Sequence, residues 1–193
     1  MQMAETAVPD LFYQKKEYQM STVDEKLLLK IGQGDADALE ALYAAASGAV
    51  FAYAYSILRD RQDAEDALQD TFLKIHAAAH LYEPQGRPMA WILTITRNIC
   101  MMQFRGRQRI TVLEHEDQTA DWGRIPDTED RQVLKTAFSI LTEEESRIIL
   151  LHAVAGLKHK ETAALLDMHL STVLSKYHRG IRKLRQELER SEQ

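Results

Sequence analysis

Three groups of side chains could do chemistry by type and spacing. Thr172, Ser175, Lys176, His178, Arg179, Arg182 and Lys183 recur at the intervals of one polar helical face. Such a set joins cations that hold phosphates to short donors and acceptors that reach base edges. A second group is the arginine block Arg87, Arg97, Arg105, Arg107 and Arg109, in a stretch from Pro84 to Ile110 that contains no acid. The third is its electrostatic opposite: Asp63, Glu65, Asp66 and Asp70 crowd a short stretch with Gln69 between them. Cationic surfaces bind phosphate locally even on a negatively charged protein. Acidic faces limit non-specific sticking or bind something basic.

No enzyme chemistry is visible. There is no nucleophile–base arrangement and no glycine-rich phosphate loop, so no catalytic residue is expected. His76 and His80 stand four apart, a spacing that holds metals, but no third ligand accompanies them. His115-Glu116 lacks the rest of a metalloprotease motif. Cys100 lies in an apolar stretch and reads as a small buried residue, not a redox sensor. No metal or other cofactor is expected.

The elements that must position these groups are helices. In 193 residues there are 8 Gly and 4 Pro, too few for the turns of a sandwich or barrel. The single cysteine excludes a disulfide framework and fits a reducing cytoplasm. The first 20 residues lack the basic start and apolar stretch of a signal peptide, and no apolar run is read as a membrane span. Net charge is −5 but strongly segmented. Residues 84–110 carry +5 and residues 147–193 carry +4, against −6 for residues 23–83 and −7 for residues 111–146.

Residues 1–20 show no periodicity and read as a flexible extension. Thr22, with Glu25 three residues on, is expected to cap a helix through Ile31. Asp35 opens a long apolar helix to Ile57, and Gln62 to His80 forms the next. Pro84, Gly86 and Pro88 set a loop before a helix from Met89 to about Phe104. Residues 107–127 are polar and acidic, an interdomain linker. Thr142-Glu143-Glu144-Glu145 is a capping box opening a helix to Val154, closed by Gly156. Lys158–Leu166, a turn at Asp167-Met168-His169 and a long helix capped by Ser171 make a helix-turn-helix. Ala163 sits where the two helices cross, and Leu170 and Val173 are expected to anchor the second helix to the core.

These residues carry a resemblance. The stretch LTEEESRIILLHAVAGLKHKETAALLDMHLSTVLSKYHRGIRKLRQEL resembles the fourth domain of extracytoplasmic-function sigma factors. Leu141, Arg147, Gly156, Leu157, Glu161, Ala163, Leu166, Thr172, Val173, Ser175, Arg179, Leu184 and Arg185 stand at its characteristic places. Asp167 replaces the usual turn glycine, which is tolerable because aspartate enters left-handed conformations more readily than most residues. Lys176 replaces the usual arginine, keeping charge but losing the planar fork. RDRQDAEDALQDTFLKIH resembles the family's polymerase-docking helix through Asp63, Ala64, Glu65, Asp66, Gln69, Asp70, Phe72 and Lys74. YEPQGRPMAWILTITRNICMMQFRGRQR resembles its promoter-opening segment through Tyr82, Pro84, Trp91, Ile95, Arg97 and Asn98.

The resemblance implies an all-α protein of two small helical domains joined by a flexible linker. The expected division is an extension at 1–22, domain two at 23–106, the linker at 107–127 and domain four at 128–193. It implies an alternative bacterial sigma factor directing promoter-specific initiation, with core RNA polymerase, promoter DNA and a dedicated anti-sigma protein as partners. Asp63, Glu65, Asp66, Gln69, Asp70, Phe72 and Lys74 would bind the β′ clamp helices, and domain four the β flap. Tyr82, Gln85, Arg87, Trp91, Arg97, Asn98 and Arg105 would contact the −10 element. Trp91 is also readable as core, and Asn98 as a helix–loop hydrogen-bonding residue. The face from Thr172 to Lys183 would read the −35 element. An operator-binding regulator, or a mimic that occupies an anti-sigma factor, are the rival readings. Neither uses the acidic helix, the arginine block and the cationic recognition face together.

Overall fold

In a computed structural model that describes residues 23–110 and 140–191, polar caps and helix stops divide the described residues into seven α-helices and one 3-10 turn. No strand occurs among the described residues. Helix α1 (Glu25–Gly32) is capped by Asp24, whose carboxylate accepts the Lys26 N–H at 3.0 Å. This differs from the expected Thr22–Glu25 box: Thr22 lies outside the described residues, and the Glu25 side chain leaves the helix for another partner. Asp35 caps α2 (Ala36–Leu58) by accepting the Ala38 N–H at 3.1 Å. Arg59 ends it in the left-handed region at φ 58°. Asp60 caps α3 (Arg61–Ala78), which runs into the 3-10 turn Ala79–Leu81. Helix α4 (Pro88–Ile110) begins on proline, which suits the first helical position because its missing N–H would be unpaired there anyway. It continues past Gly106, so the helix overruns the expected start of the linker. The rest of that linker and the expected boundary at 128 lie outside the described residues.

The second half builds as its caps demand. Thr142 and Glu145 exchange both bonds of a capping box at the start of α5 (Glu143–Ala153). Helix α6 (His159–Leu166) ends on Asp167 at φ 54°, ψ 47°, whose N–H reaches the Ala163 and Ala164 carbonyls. Aspartate thus takes the left-handed position without a glycine, as expected. Helix α7 spans Leu170–Ser191. Its first bonds run from the Thr172 and Val173 N–H groups to the His169 carbonyl, so Ser171 lies inside the helix and is not its cap. Leu170, expected in the core, is 43% exposed because it sits on the outer side of that first turn. Val173 is fully buried, with Ile148 and Ala163, where α5, α6 and α7 meet. Gly180 lets α7 lie close on α5: a Cβ there would stand 2.7 Å from Ile149 Cδ1.

Helix α2 is the centre of the molecule. Ten of its residues are buried, and α1, α3, α4 and α5 all pack on it. By length and composition it could cross a membrane, contrary to the expectation that no stretch qualifies; half of that window is buried in the core. The reason is its alanine-rich composition, which leaves few charges over six turns. Leu150, Leu151, Ala155, Leu157 and Leu165 of the second half join the same core. Above this seam, Arg147 donates from Nε and Nη2 to the Ser56 carbonyl at 3.2 and 3.0 Å. Ser56 lies in the last turn of α2, where carbonyls have no partner within the helix and a cation also complements the helix dipole. Arg59 and Glu143 pair at 3.2 Å beside it.

Hydrogen bonds from a charged donor contribute about 1.5–3 kcal/mol. Arg147→Ala should therefore lower resistance to urea by about that amount. It should also widen the separation of fluorescent probes placed on α3 and α7. Unchanged energy transfer would show that apolar burial alone holds the seam.

Candidate nucleic-acid interface

The exposed side of α7 includes Ser171, Ser175, His178, Arg179, Arg182, Arg185 and Gln186. Thr172 is half-buried at its edge. Two expected contact residues face inward instead. Lys176 pairs with Glu144 at 2.5 Å, and Lys183 donates to Glu145 at 2.7 Å. Glu145 is almost fully buried and also lies 3.9 Å from Arg179. Burial pushes its carboxyl up, but the bonds from Lys183 and Thr142 outweigh this and leave it below the usual glutamate value. Glu145 therefore fixes the rotation of α7, and with it which side chains face outward. Arg185 and Ser171 were missed as face residues, although both continue the spacing from Ser175, His178 and Arg182.

Behind this stripe three histidines surround one tyrosine. The rings of His152 and His159 stack at 4.2 Å, and Tyr177 meets them edge-on at 5.0 and 4.6 Å. His178 contacts Tyr177 from the same helix at 5.7 Å. His152 Nδ1 lies 2.8 Å from the Leu157 carbonyl, while His159 Nδ1 is buried without a hydrogen-bond partner. Burial first, and then the His152 and His178 charges, hold His159 below the ordinary histidine value.

On α3 the exposed residues are Gln62, Asp66, Gln69, Asp70, Leu73, Lys74 and Ala77, with His76 and His80 farther round. Asp66, Gln69, Asp70 and Lys74 thus share a surface. Glu65 is occupied by Arg61 at 3.1 Å, and the Asp63 backbone is held by the Asp60 cap at 2.9 Å. Phe72 is core: it is buried and packs on Tyr43 at 4.8 Å. The apolar residue this face does present is Leu73, 68% exposed, which the sequence reading passed over for its aromatic neighbour.

The third surface joins the loop after the 3-10 turn to α4. A cleft of about 360 Å³ is lined by Leu81, Tyr82, Glu83, Gln85, Arg87, Ala90, Trp91 and Thr94. Four of the seven expected −10 residues, Tyr82, Gln85, Arg87 and Trp91, thus meet at one cleft. Tyr82 and Trp91 pack edge to face at 5.1 Å, and Trp91 also touches the core, so it serves both readings. Asn98 is exposed farther along α4. Arg105 folds back, its Nε donating to the Met101 carbonyl at 3.0 Å. Arg97 is half-buried; its charge, with that of Arg147, partly offsets the burial that pushes the Tyr53 hydroxyl up to about 12. Arg87 approaches Glu161 of α6 at 3.8 Å, so the cleft borders the second half. Thr94, missed from sequence, lies one turn from Trp91 on the same face. Cys100 is buried, and burial raises its thiol to about 12, which fits its reading as an unreactive core residue.

The family described as Sigma-70 region 2 matches residues 42–110, and that described as Sigma-70, region 4 matches residues 131–184. The chain is 31% identical over 147 residues to the ECF RNA polymerase sigma factor SigE of Mycolicibacterium smegmatis, covering 70% of this chain and 56% of that one. It therefore spans little more than half that relative's length. It is 25% identical to the ECF RNA polymerase sigma factor SigX of Bacillus subtilis, covering 72% of this chain and 78% of SigX. Among solved structures, the sigma factor RpoE in complex with the anti-sigma factor NepR from Bartonella quintana is 25% identical. It matches with a TM-score of 0.57, over 78% of this chain and 96% of that one. CnrH, solved with the cytosolic domain of CnrY, shares the fold with a TM-score of 0.58 at 23% identity, over 86% and 97% of the two chains.

The histidine cluster has a measurable consequence. His159 binds a proton less readily folded than unfolded, so its neutral form stabilises the helix-turn-helix. That contribution is complete above the ordinary value of 6.5 and is lost as pH falls below it. Urea melts followed by far-ultraviolet circular dichroism should show stability declining as pH drops through that range. His159→Phe should flatten the decline; an unchanged pH profile in that variant would exclude His159 as its source.

Proposed function

The chain belongs to the extracytoplasmic-function sigma factors, and from that membership we propose that it binds core RNA polymerase and directs promoter-specific initiation. The exposed face of α3, Asp66, Gln69, Asp70 and Lys74 around Leu73, docks on the β′ clamp helices. Charge on its rim steers the encounter and an apolar centre excludes water. Domain four contacts the β flap and sets α7 in the major groove of the −35 element. Arg179 and Arg182 supply forks for guanine edges or phosphates, and Ser175 and His178 supply shorter contacts. The cleft beside Tyr82 takes an unstacked base of the −10 element, while arginines of α4 accompany the strand's phosphates. Synthesis of RNA remains the polymerase's chemistry, and the factor acts in the cytoplasm where that enzyme works.

The observation that supports this most strongly is the cleft at the head of an acid-free helix, on the same chain as the cationic recognition helix. Duplex binding alone needs the second and has no use for the first. An anti-sigma protein that covers these surfaces would keep the factor silent. The Bartonella relative was solved in complex with the anti-sigma factor NepR.

Run-off transcription with purified protein, core polymerase and fragmented genomic DNA should yield start sites that share two spaced motifs. Absence of new starts with active core would refute the assignment. On a promoter so found, Arg179→Ala should lose roughly 1–3 kcal/mol of discrimination at one −35 base pair and keep its affinity for core polymerase. Asp66→Arg should do the reverse, weakening capture of core polymerase while leaving −35 duplex binding by domain four intact. Unaltered affinity for core would remove α3 from the polymerase interface.

A further inference from the structure

A single carboxylate oxygen organises the loop beside the cleft. Glu25 Oε1 accepts the Tyr82 hydroxyl at 2.5 Å, the Gln85 N–H at 2.8 Å and the Gly86 N–H at 2.8 Å. These donors come from about sixty residues along the chain, so the contact is tertiary and does nothing for α1 itself. Gly86 has φ +68°, the left-handed value that turns its amide toward the carboxylate. A second contact fixes α1 against the same loop. At Gly32 a Cβ would stand 2.9 Å from the Ala79 carbonyl oxygen and 3.1 Å from His80 Cα, so only glycine lets the 3-10 turn sit so close. Helix α1 lies before residue 42, where the region 2 match begins.

The three donors matter because of what they hold. Tyr82 is 8% exposed and forms the cleft wall with Trp91, and Gln85 and Arg87 stand on its rim. A loop with free backbone amides and a rotating tyrosine would have to be ordered by each incoming base, which weakens capture. Glu25 orders it beforehand, and its bond from Tyr82 holds the carboxyl ionised below the usual glutamate range.

We propose that Glu25 is a positioning residue for promoter opening: it pre-forms the Tyr82–Arg87 loop that receives an unstacked base of the non-template strand. This rests on the base-capture role given to the cleft above. Glu25 acts through the loop and does not itself touch DNA. Removing its carboxylate should impair strand capture without impairing polymerase docking or −35 binding, which lie on other faces.

The test uses the full-length protein with core polymerase on a promoter found by run-off transcription. 2-Aminopurine replaces each non-template position of the −10 element in turn, and its fluorescence reports unstacking. Wild type should brighten at a specific position. Glu25→Ala should reduce that signal and the rate of open-complex formation about tenfold, the scale of losing a charge-assisted bond. On a template already unpaired at the −10 element, the rate should recover in large part. Glu25→Gln, which keeps an acceptor oxygen in place, should restore most of the signal on duplex DNA, and affinity for core should be the same for all three proteins. A full fluorescence change with Glu25→Ala would overturn the inference while leaving the base-capture reading standing. A parallel loss of core affinity would also overturn it, by making Glu25 a general brace. Absence of brightening at every position in wild type, with transcription intact, would overturn the base-capture reading and this inference together.

Discussion

The burial of α2 is the constraint on which the rest depends. A 23-residue helix with an alanine-rich, nearly uncharged surface cannot face water on most of its sides. Four other helices cover it, three from its own half and one from the helix-turn-helix half. That coverage aims every functional surface. Helix α3 packs inward through Ala64, Ala67, Leu68, Phe72 and Ile75, which turns Asp66, Gln69, Asp70 and Leu73 outward. Helix α4 packs inward through Ile92, Leu93, Thr96 and Cys100, which leaves Thr94 and Asn98 outside. The Thr71 hydroxyl contacts that of Thr96 at 3.4 Å where α3 and α4 touch, while each also donates to a carbonyl one turn back. Buried hydroxyls so satisfied cost little.

Charge is managed by a second rule: acids inside each half choose which cations remain for a partner. Glu144 and Glu145 engage Lys176 and Lys183, leaving Arg182 and Arg185 on the outer stripe. The deeply buried carboxylate of Glu145 is held through one oxygen, Oε2, which accepts the Thr142 N–H and Lys183, while Oε1 makes no hydrogen bond and lies 3.9 Å from Arg179. Glu25 does the same for the loop at the cleft, with neutral donors in place of cations. Glu161 draws Arg87 toward the second half, so the cleft and the helix-turn-helix are in electrostatic contact across the seam.

Much of this was legible in the sequence because local rules governed it. Asp35, Thr142 and Asp167 each act within four residues of themselves, so their caps and turn follow from residue type and spacing. The helical fold follows equally from the recurrence of apolar residues at three and four. What escaped were choices made across the chain. Phe72 keeps the helical spacing of Ala64, Ala67, Leu68 and Ile75, so its burial was legible, and only the resemblance set it on the polymerase face in place of its exposed neighbour Leu73. Lys176 and Lys183 look like DNA contacts until α5 brings its glutamates alongside. Glu25 looks like part of a cap because its partners lie some sixty residues away. Ser171 and Leu170 were misplaced because the helix begins two residues earlier than a serine cap suggests.

In the proposed function one chain carries three separately aimed surfaces: one for polymerase, one for duplex DNA and one for an unstacked strand. Site-specific photocrosslinking in a single reconstituted promoter complex tests it most directly. A photoreactive amino acid at Leu73 should attach to the largest polymerase subunit. One at Arg182 should attach to upstream duplex, and one at Gln85 to the non-template strand only after opening. Attachment of both Gln85 and Arg182 to the same duplex segment, or capture of DNA rather than polymerase by Leu73, would contradict the account.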